Sequence, residues 1–182
     1  MGDNFVINIG RQLGSGGREI GEKLAASLEI SFYDKELINL ASEESGLCRD
    51  FFEKADEKPS QPLINGLFGM RFPFPNDSIM ACNSCLSNDA LFKVQSDVIR
   101  KLAAEKSCLF VGRCADYILR DHPRHVNVFV SASLDDRIER LCQTMHVSKA
   151  EAEELIERTD KKRSEYYNYY SYKTWGAAAT YH

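Results

Sequence analysis

Residues 5–28 read FVINIGRQLGSGGREIGEKLAASL, an apolar run that breaks into glycines and resumes as a helix-patterned segment. A buried strand feeding a tight glycine turn and then a helix is half of a strand–helix–strand unit, so this stretch points to a parallel α/β arrangement. It also points to chemistry. Backbone N–H groups of such a turn converge on an anion, and the following helix adds the positive end of its dipole. The residues offered to an anion are Arg11, Gly14, Ser15, Gly16, Gly17, Arg18 and Glu19, with the glycines removing side chains from the approach. The strict phosphate-loop pattern G-x-x-x-x-G-K-[ST] is not met. With Gly16 as its second glycine, Arg11 stands at the first glycine's position, Gly17 at the lysine's and Arg18 at the hydroxyl residue's. The dinucleotide pattern G-x-G-x-x-G fails as well, at Glu19.

Three further apolar runs, at 30–33, 108–112 and 126–132, match the first run (5–9) as buried strands. Helical periodicity fills the intervals. The first helix starts near Gly16 with Ile20, Leu24 and Leu28 on one face. Shorter helices are expected at 35–45 and 48–55, and 90–105 carries a stripe of Leu91, Val94, Val98 and Leu102. Ser133 and Asp136 mark a helix start, and Ser148 with Glu151 forms a capping box before a helix running to about Tyr167. The expected fold is a doubly wound parallel sheet in one domain over 1–182. Residues 57–86, with Pro59, Pro62, Pro73 and Pro75, are too long for an idle connection. The aromatic end, SEYYNYYSYKTWGAAATYH, either packs on the domain or precedes a final strand and helix, and the second alternative is favoured.

A net charge of -4 argues against a nucleic-acid polymer as partner, while leaving room for a small basic pocket. No apolar run reaches membrane-spanning length and no secretory signal opens the chain, so a reduced cytoplasmic protein without membrane contact is expected. Position 6 holds Val6 where a myristoylation signal needs Ser or Thr. Of the six cysteines, Cys108 and Cys142 read as core residues; Cys82 and Cys85 have CxxC spacing but no second ligand pair, and no residue is assigned to a metal.

The blocks GRQLGSGGREIGEKLA, FYDKEL, VGRCADYIL, VFVSASLDDRIERL and DKKRSEYYNYY, in this order, resemble the cytidylate kinase-like family, a branch of the P-loop nucleoside monophosphate kinases. The resemblance runs from Phe5 to the end of the chain. It implies a P-loop kinase fold, an acceptor-binding insertion after the second strand (57–86) and a helical lid at 157–172. It also implies transfer of the γ-phosphate of ATP, with Mg2+, to a pyrimidine nucleoside monophosphate such as CMP or dCMP. True cytidylate kinases carry G-S-G-K-[ST]-T where this chain has Gly14-Ser15-Gly16-Gly17-Arg18-Glu19, and G-R-D where it has Gly112-Arg113-Cys114. The phosphate lysine, the magnesium hydroxyl and one carboxylate are therefore replaced.

Phosphoryl transfer asks the protein for position and positive charge. Arg18, Arg113, Arg158 and Arg163 are the catalytic candidates; Arg18 or Arg11 is the expected substitute for the lysine, with a surface pair to Glu22 as the plain alternative for Arg18. Asp34, at the end of the second strand, is an acceptor-site residue or a helix N-cap. Arg113 matches the arginine that contacts the acceptor in true cytidylate kinases, with an ion pair to Asp116 as its alternative, and Arg100, Lys101 or Gln95 would add a second contact. Glu19 and Asp34 are the nearest carboxylates to a magnesium position. Tyrosines 166–172 and Trp175 read as packing. Two other functions stay open: a nucleotide-binding module without turnover, and a kinase for another small acceptor shaped by the 57–86 insertion. A homo-oligomer is compatible with all three.

Overall fold

A computed structural model of the chain describes residues 4–35 and 88–182. In order these form β1 (Val6–Arg11), α1 (Gly17–Ser27), β2 (Ser31–Tyr33), α2 (Asn88–Glu105), β3 (Cys108–Val111), α3 (Ala115–Ile118), β4 (His125–Val130), α4 (Leu134–Met145) and α5 (Lys149–Ser171), then a 3-10 turn at Ala178–Thr180. The helices expected at 35–45 and 48–55, the insertion at 57–86 and the Cys82–Cys85 pair lie outside the described residues, apart from Lys35.

The strands form one parallel sheet in the order β2-β3-β1-β4. β1 pairs with β3 from Val6↔Cys108 to Ile9↔Val111, and with β4 from Val6↔His125 to Arg11↔Val130. Alternation along β1 sends Ile7 and Ile9 to one face, where α1 meets Leu109 and Val111. Val6 faces the other side, joining Phe110, Ile99, Ile118 and Tyr167. Helices on both faces make this the doubly wound α/β fold expected from the sequence.

The chain leaves β1 towards β2 on one side, and leaves β3 towards β4 on the other. The switch point, where open α/β sheets form their ligand crevice, is therefore outside the C-terminal ends of β1 and β3. Arg11 ends one strand and Gly112-Arg113 follows the other.

Two helices differ from expectation. Ile20 and Leu28 are 49% and 44% exposed, so they do not form the buried face of α1. Gly17, Gly21 and Ala25 do. A Cβ on Gly21 would lie 3.2 Å from Ile9, Leu109 and Val111 alike, so the helix backbone rests almost directly on the sheet. The second difference is length: α5 continues to Ser171, four residues past Tyr167, because Tyr167 and Tyr170 pack inwards and hold its last turns.

The capping box is present in full, with Ser148 accepting from the Glu151 N–H and Glu151 accepting from the Ser148 N–H. The aromatic tail packs on the domain. Phe129 meets Trp175 and Tyr181, and the His182 N–H donates to the Asn127 carbonyl on the outer edge of β4 at 2.9 Å.

Candidate phosphate-binding site

The loop between β1 and α1 is pinned at both ends. Gln12 N–H donates to the Val130 carbonyl, and the Ser15 N–H and hydroxyl both turn back to the Gln12 carbonyl, the hydroxyl at 2.9 Å. Gly14 and Gly16 hold φ of 78° and 82°, in the left-handed region that a side chain disfavours. Gly16 caps α1 without a side-chain hydrogen bond. Among the described residues, the Gly14 and Gly16 N–H groups have no hydrogen-bond partner in the chain.

The glycines are expected to clear the way for phosphate oxygens; the structure also gives two of them a packing reason. A Cβ on Gly14 would sit 2.8 Å from the Arg137 carbonyl of α4, and one on Gly17 would sit 2.6 Å from Arg11 Cβ. Of the three loop glycines, Gly16 faces a cation. Its Cβ position is 3.3 Å from Cζ of Arg140, whose guanidinium lies over the loop and bonds Glu19 at 3.0 Å. Beside it a cavity of about 490 Å3 opens along α4, lined among others by Gly14, Ser15, Glu139, Arg140, Gln143 and Thr144.

Leu13 carries the loop's tether. Its N–H donates to Asp160 Oδ1 at 2.8 Å and its carbonyl accepts from Arg137 Nε at 2.7 Å. Arg137 and Asp160 are themselves ion-paired and nearly buried. The Leu13 side chain packs into the cluster of Leu141, Ala152 and Ile156 that joins α4 to α5. The loop is thus held by backbone, charge and apolar contact at one residue.

The sequence candidates separate on this frame. Arg18 turns from the loop and grips the buried Asp34, with Nε at 2.9 Å and Nη2 at 2.8 Å from Oδ2, while Nη1 reaches Glu22 at 3.3 Å. A proposed phosphate ligand and a proposed acceptor ligand are therefore partners. Glu19 is held by Lys23 and Arg140, which keep its carboxyl below the usual range.

Arg11 lies under the loop and its guanidinium reaches Gly112, where a Cβ would collide with Arg11 Nη1. Arg163 is half-buried at the same end of the sheet, donating to the Arg11 carbonyl at 3.4 Å and facing Asp160 at 3.7 Å. Burial lowers its pKa from the ordinary arginine value, opposed by Asp160.

Arg158 is exposed on α5. Five residues span about 500° of an α-helix, so it and Arg163 point in different directions and do not serve one loop. Arg113 stacks over Tyr166 with Cζ 5.4 Å from the ring centre. Asp116 is not its partner here and instead accepts from the Tyr167 hydroxyl at 2.6 Å. Arg100 is exposed and bonded to Asp97, because Val94, Val98 and Ile99 take the inward positions of α2. Gln95 is buried, with its Oε1 3.5 Å from the Tyr166 hydroxyl. Cys114, where a carboxylate was expected, is buried and its thiol is pushed up to about 12 by that burial.

Arg137, Arg140 and Asp160 were not singled out from the sequence. The signal for the first two was their i, i+3 spacing on the helix after β4, which puts both on one face. Acids flank both in that block, and neither spacing nor composition says which face of the helix turns towards the loop.

The cytidylate kinase-like family profile matches residues 6–182. The chain belongs to that family. Its fold is accordingly the α/β P-loop kinase-like one, and its membership is of a kinase-like group. A search of curated proteins returns no match. Among solved structures, an uncharacterized protein from Eubacterium ventriosum ATCC 27560 is similar over 98% of this chain and 84% of its own, at 27% identity and a TM-score of 0.70. A shikimate kinase from Bacteroides thetaiotaomicron is similar over 90% of this chain and 82% of its own, at 13% identity and a TM-score of 0.47. A gluconokinase from Sinorhizobium meliloti 1021 is similar over 85% and 74%, at 14% identity and a TM-score of 0.44. Likeness at the level of these two kinases bears on neither substrate nor activity.

Proposed function

We propose that this cytidylate kinase-like protein is a nucleotide kinase that transfers the γ-phosphate of ATP to a pyrimidine nucleoside monophosphate, CMP or dCMP. The observation that carries the reading is the loop at 12–17: tethered at Leu13, opened by two left-handed glycines, and overlain by the Arg140 guanidinium at the start of α1. In the reaction an oxygen of the acceptor's phosphate forms a bond to the γ-phosphorus as the bond to the bridging oxygen breaks, and ADP leaves.

The chain's part is to hold and neutralise. Backbone N–H groups of the loop and Arg140 suit the donor's phosphates, and the cavity along α4 offers hydrogen-bonding groups to its nucleoside. Arg163 and Arg113, at the strand ends, suit the charge on the transferring group and on the acceptor. Asp34 and its partner Arg18 form the β2 side of the acceptor region.

ATP phosphates fit the residues present. Magnesium finds no such fit: Arg18 replaces the hydroxyl ligand, Asp34 and Glu19 are taken by cations, and among the described residues no group of His, Cys, Asp or Glu is arranged to hold an ion. An ion carried in on the nucleotide's own phosphates needs no protein cage, and no step above passes through it. The tied Asp34 and Glu19 also favour a second reading, a nucleotide-binding module without turnover.

The test is incubation with ATP, Mg2+ and a panel of nucleoside monophosphates and small non-nucleotide hydroxyl or phosphate acceptors, with ADP as the readout. ADP formed with CMP or dCMP is the expected result. No ADP with any acceptor, together with a melting temperature raised by ATP, replaces the kinase reading with the binding module. ADP formed only with a non-nucleotide acceptor overturns the pyrimidine assignment.

A further inference from the structure

In the strict phosphate-loop pattern a glycine opens the loop and a lysine follows its second glycine. Here the small and the cationic residue have changed places, with Arg11 at the opening position and Gly17 at the lysine position. The structure shows that this exchange is reciprocal. A side chain on Gly17 would put its Cβ 2.6 Å from Arg11 Cβ and 3.3 Å from Arg11 Cγ. Gly17 is the first residue of a right-handed helix, so its backbone conformation does not demand glycine. Arg11 does, with Val130 Cβ a lesser neighbour at 3.1 Å. The arginine stem runs past α1 through the space a lysine at 17 would leave by, and the guanidinium ends against Gly112 at the switch point of the sheet.

We propose that Arg11 is the transposed counterpart of the phosphate-loop lysine, binding the terminal phosphates of the donor nucleotide from the end of β1 instead of from the start of α1. This rests on the nucleotide-site reading above, since it needs a polyphosphate on the loop. A guanidinium keeps its charge at any working pH and presents a planar fork that pairs two phosphate oxygens at once. The Arg163 donation to the Arg11 carbonyl holds the residue's backbone in place.

The experiment measures binding of the non-hydrolysable ATP analogue AMP-PNP by titration calorimetry, alongside turnover with ATP and CMP. The proteins are the wild type, Arg11→Met, Arg11→Gly, Gly17→Lys and the double variant Arg11→Gly with Gly17→Lys. Arg11→Met keeps much of the apolar stem and removes the charge; about 10- to 100-fold weaker binding is expected, the range for losing a hydrogen bond to a charged group. Gly17→Lys alone collides with Arg11 and binds weakly. The double variant regains affinity relative to either single glycine or lysine change, because a cation returns and the collision is gone. A purely structural Arg11 would leave Arg11→Met binding like wild type, because the stem that packs against Gly17 remains.

Wild type that binds the analogue while Arg11→Met binds equally tightly, or a double variant no better than Arg11→Gly, overturns the transposition and leaves the loop site standing. Wild type that binds no analogue removes the nucleotide reading itself.

Discussion

Asp160 joins three groups that the sequence keeps far apart: the Leu13 N–H, the buried Arg137 and Arg163. Removing its charge leaves Arg137 buried without its counter-ion, a change that costs about 3–5 kcal/mol in buried pairs. Asp160→Asn is expected to lose stability of that order in urea denaturation, whereas Asp135→Asn, on an exposed residue of α4, is expected to lose almost none. Asp116 makes a different prediction. Burial raises its pKa above the ordinary 3.8, outweighing the Tyr167 hydroxyl that favours the charged form. A carboxyl with a raised folded pKa contributes stability that is present below the unfolded value and is lost as pH rises through the folded value. Asp116→Asn and wild type should therefore be equally stable in acid, relative to their Tyr167 contacts, with the variant gaining on wild type as pH climbs to 7. Melting curves across that range check it; a gap that stays constant with pH contradicts it. The cations explain what sequence reading left obscure. Arg11 and Arg163 were marked by the loop pattern and the family blocks, and the structure brings the two together at the end of β1. Arg137 and Arg140 were hidden among acids in SLDDRIERL, since composition does not say which face of a helix turns inwards.

The strands were legible to within two residues, β1 and β3 because buried parallel strands are continuous apolar runs bounded by turns, whereas β4 was expected to be buried and instead leaves Val126 and Val128 exposed at the sheet edge. Ser133 and Ser148 were equally legible, since an N-cap is local chemistry that needs no tertiary partner. The buried face of α1 was not. Hydrophobic periodicity chose Ile20 and Leu28, but the sheet accepts a stripe of Gly17, Gly21 and Ala25, whose value is their smallness. Such a stripe is invisible to any reading that weighs only apolarity. Gly21→Val should force α1 off Ile9, Leu109 and Val111, with an expected loss of about 1–3 kcal/mol from overpacking. Thermal or chemical denaturation measures it, and a variant as stable as wild type would show that α1 does not rest on the sheet as described. Because Gly16 of the proposed phosphate loop caps α1, the same substitution is expected to weaken nucleotide binding as well.

Taken together, the molecule sets a short polar device on a conventional sheet. α4 and α5 are packed through Leu141, Ala152 and Ile156, and their charged residues Arg137 and Asp160 reach the loop between β1 and α1. The far end of α5 packs on the core through Tyr167 and supports Arg113 through Tyr166. One helix therefore touches both the loop proposed for the donor and the strand end proposed for the acceptor. No helix among the described residues is long and apolar enough to cross a membrane.

The decisive measurement is the amide nitrogen–proton spectrum of the isotope-labelled protein during titration with ADP. The largest displacements are expected at Gly14, Ser15, Gly16 and Gly17, with Arg140 moving beside them. Saturable displacements confined to other parts of the chain, with those four amides unmoved, would contradict a phosphate grip by this loop.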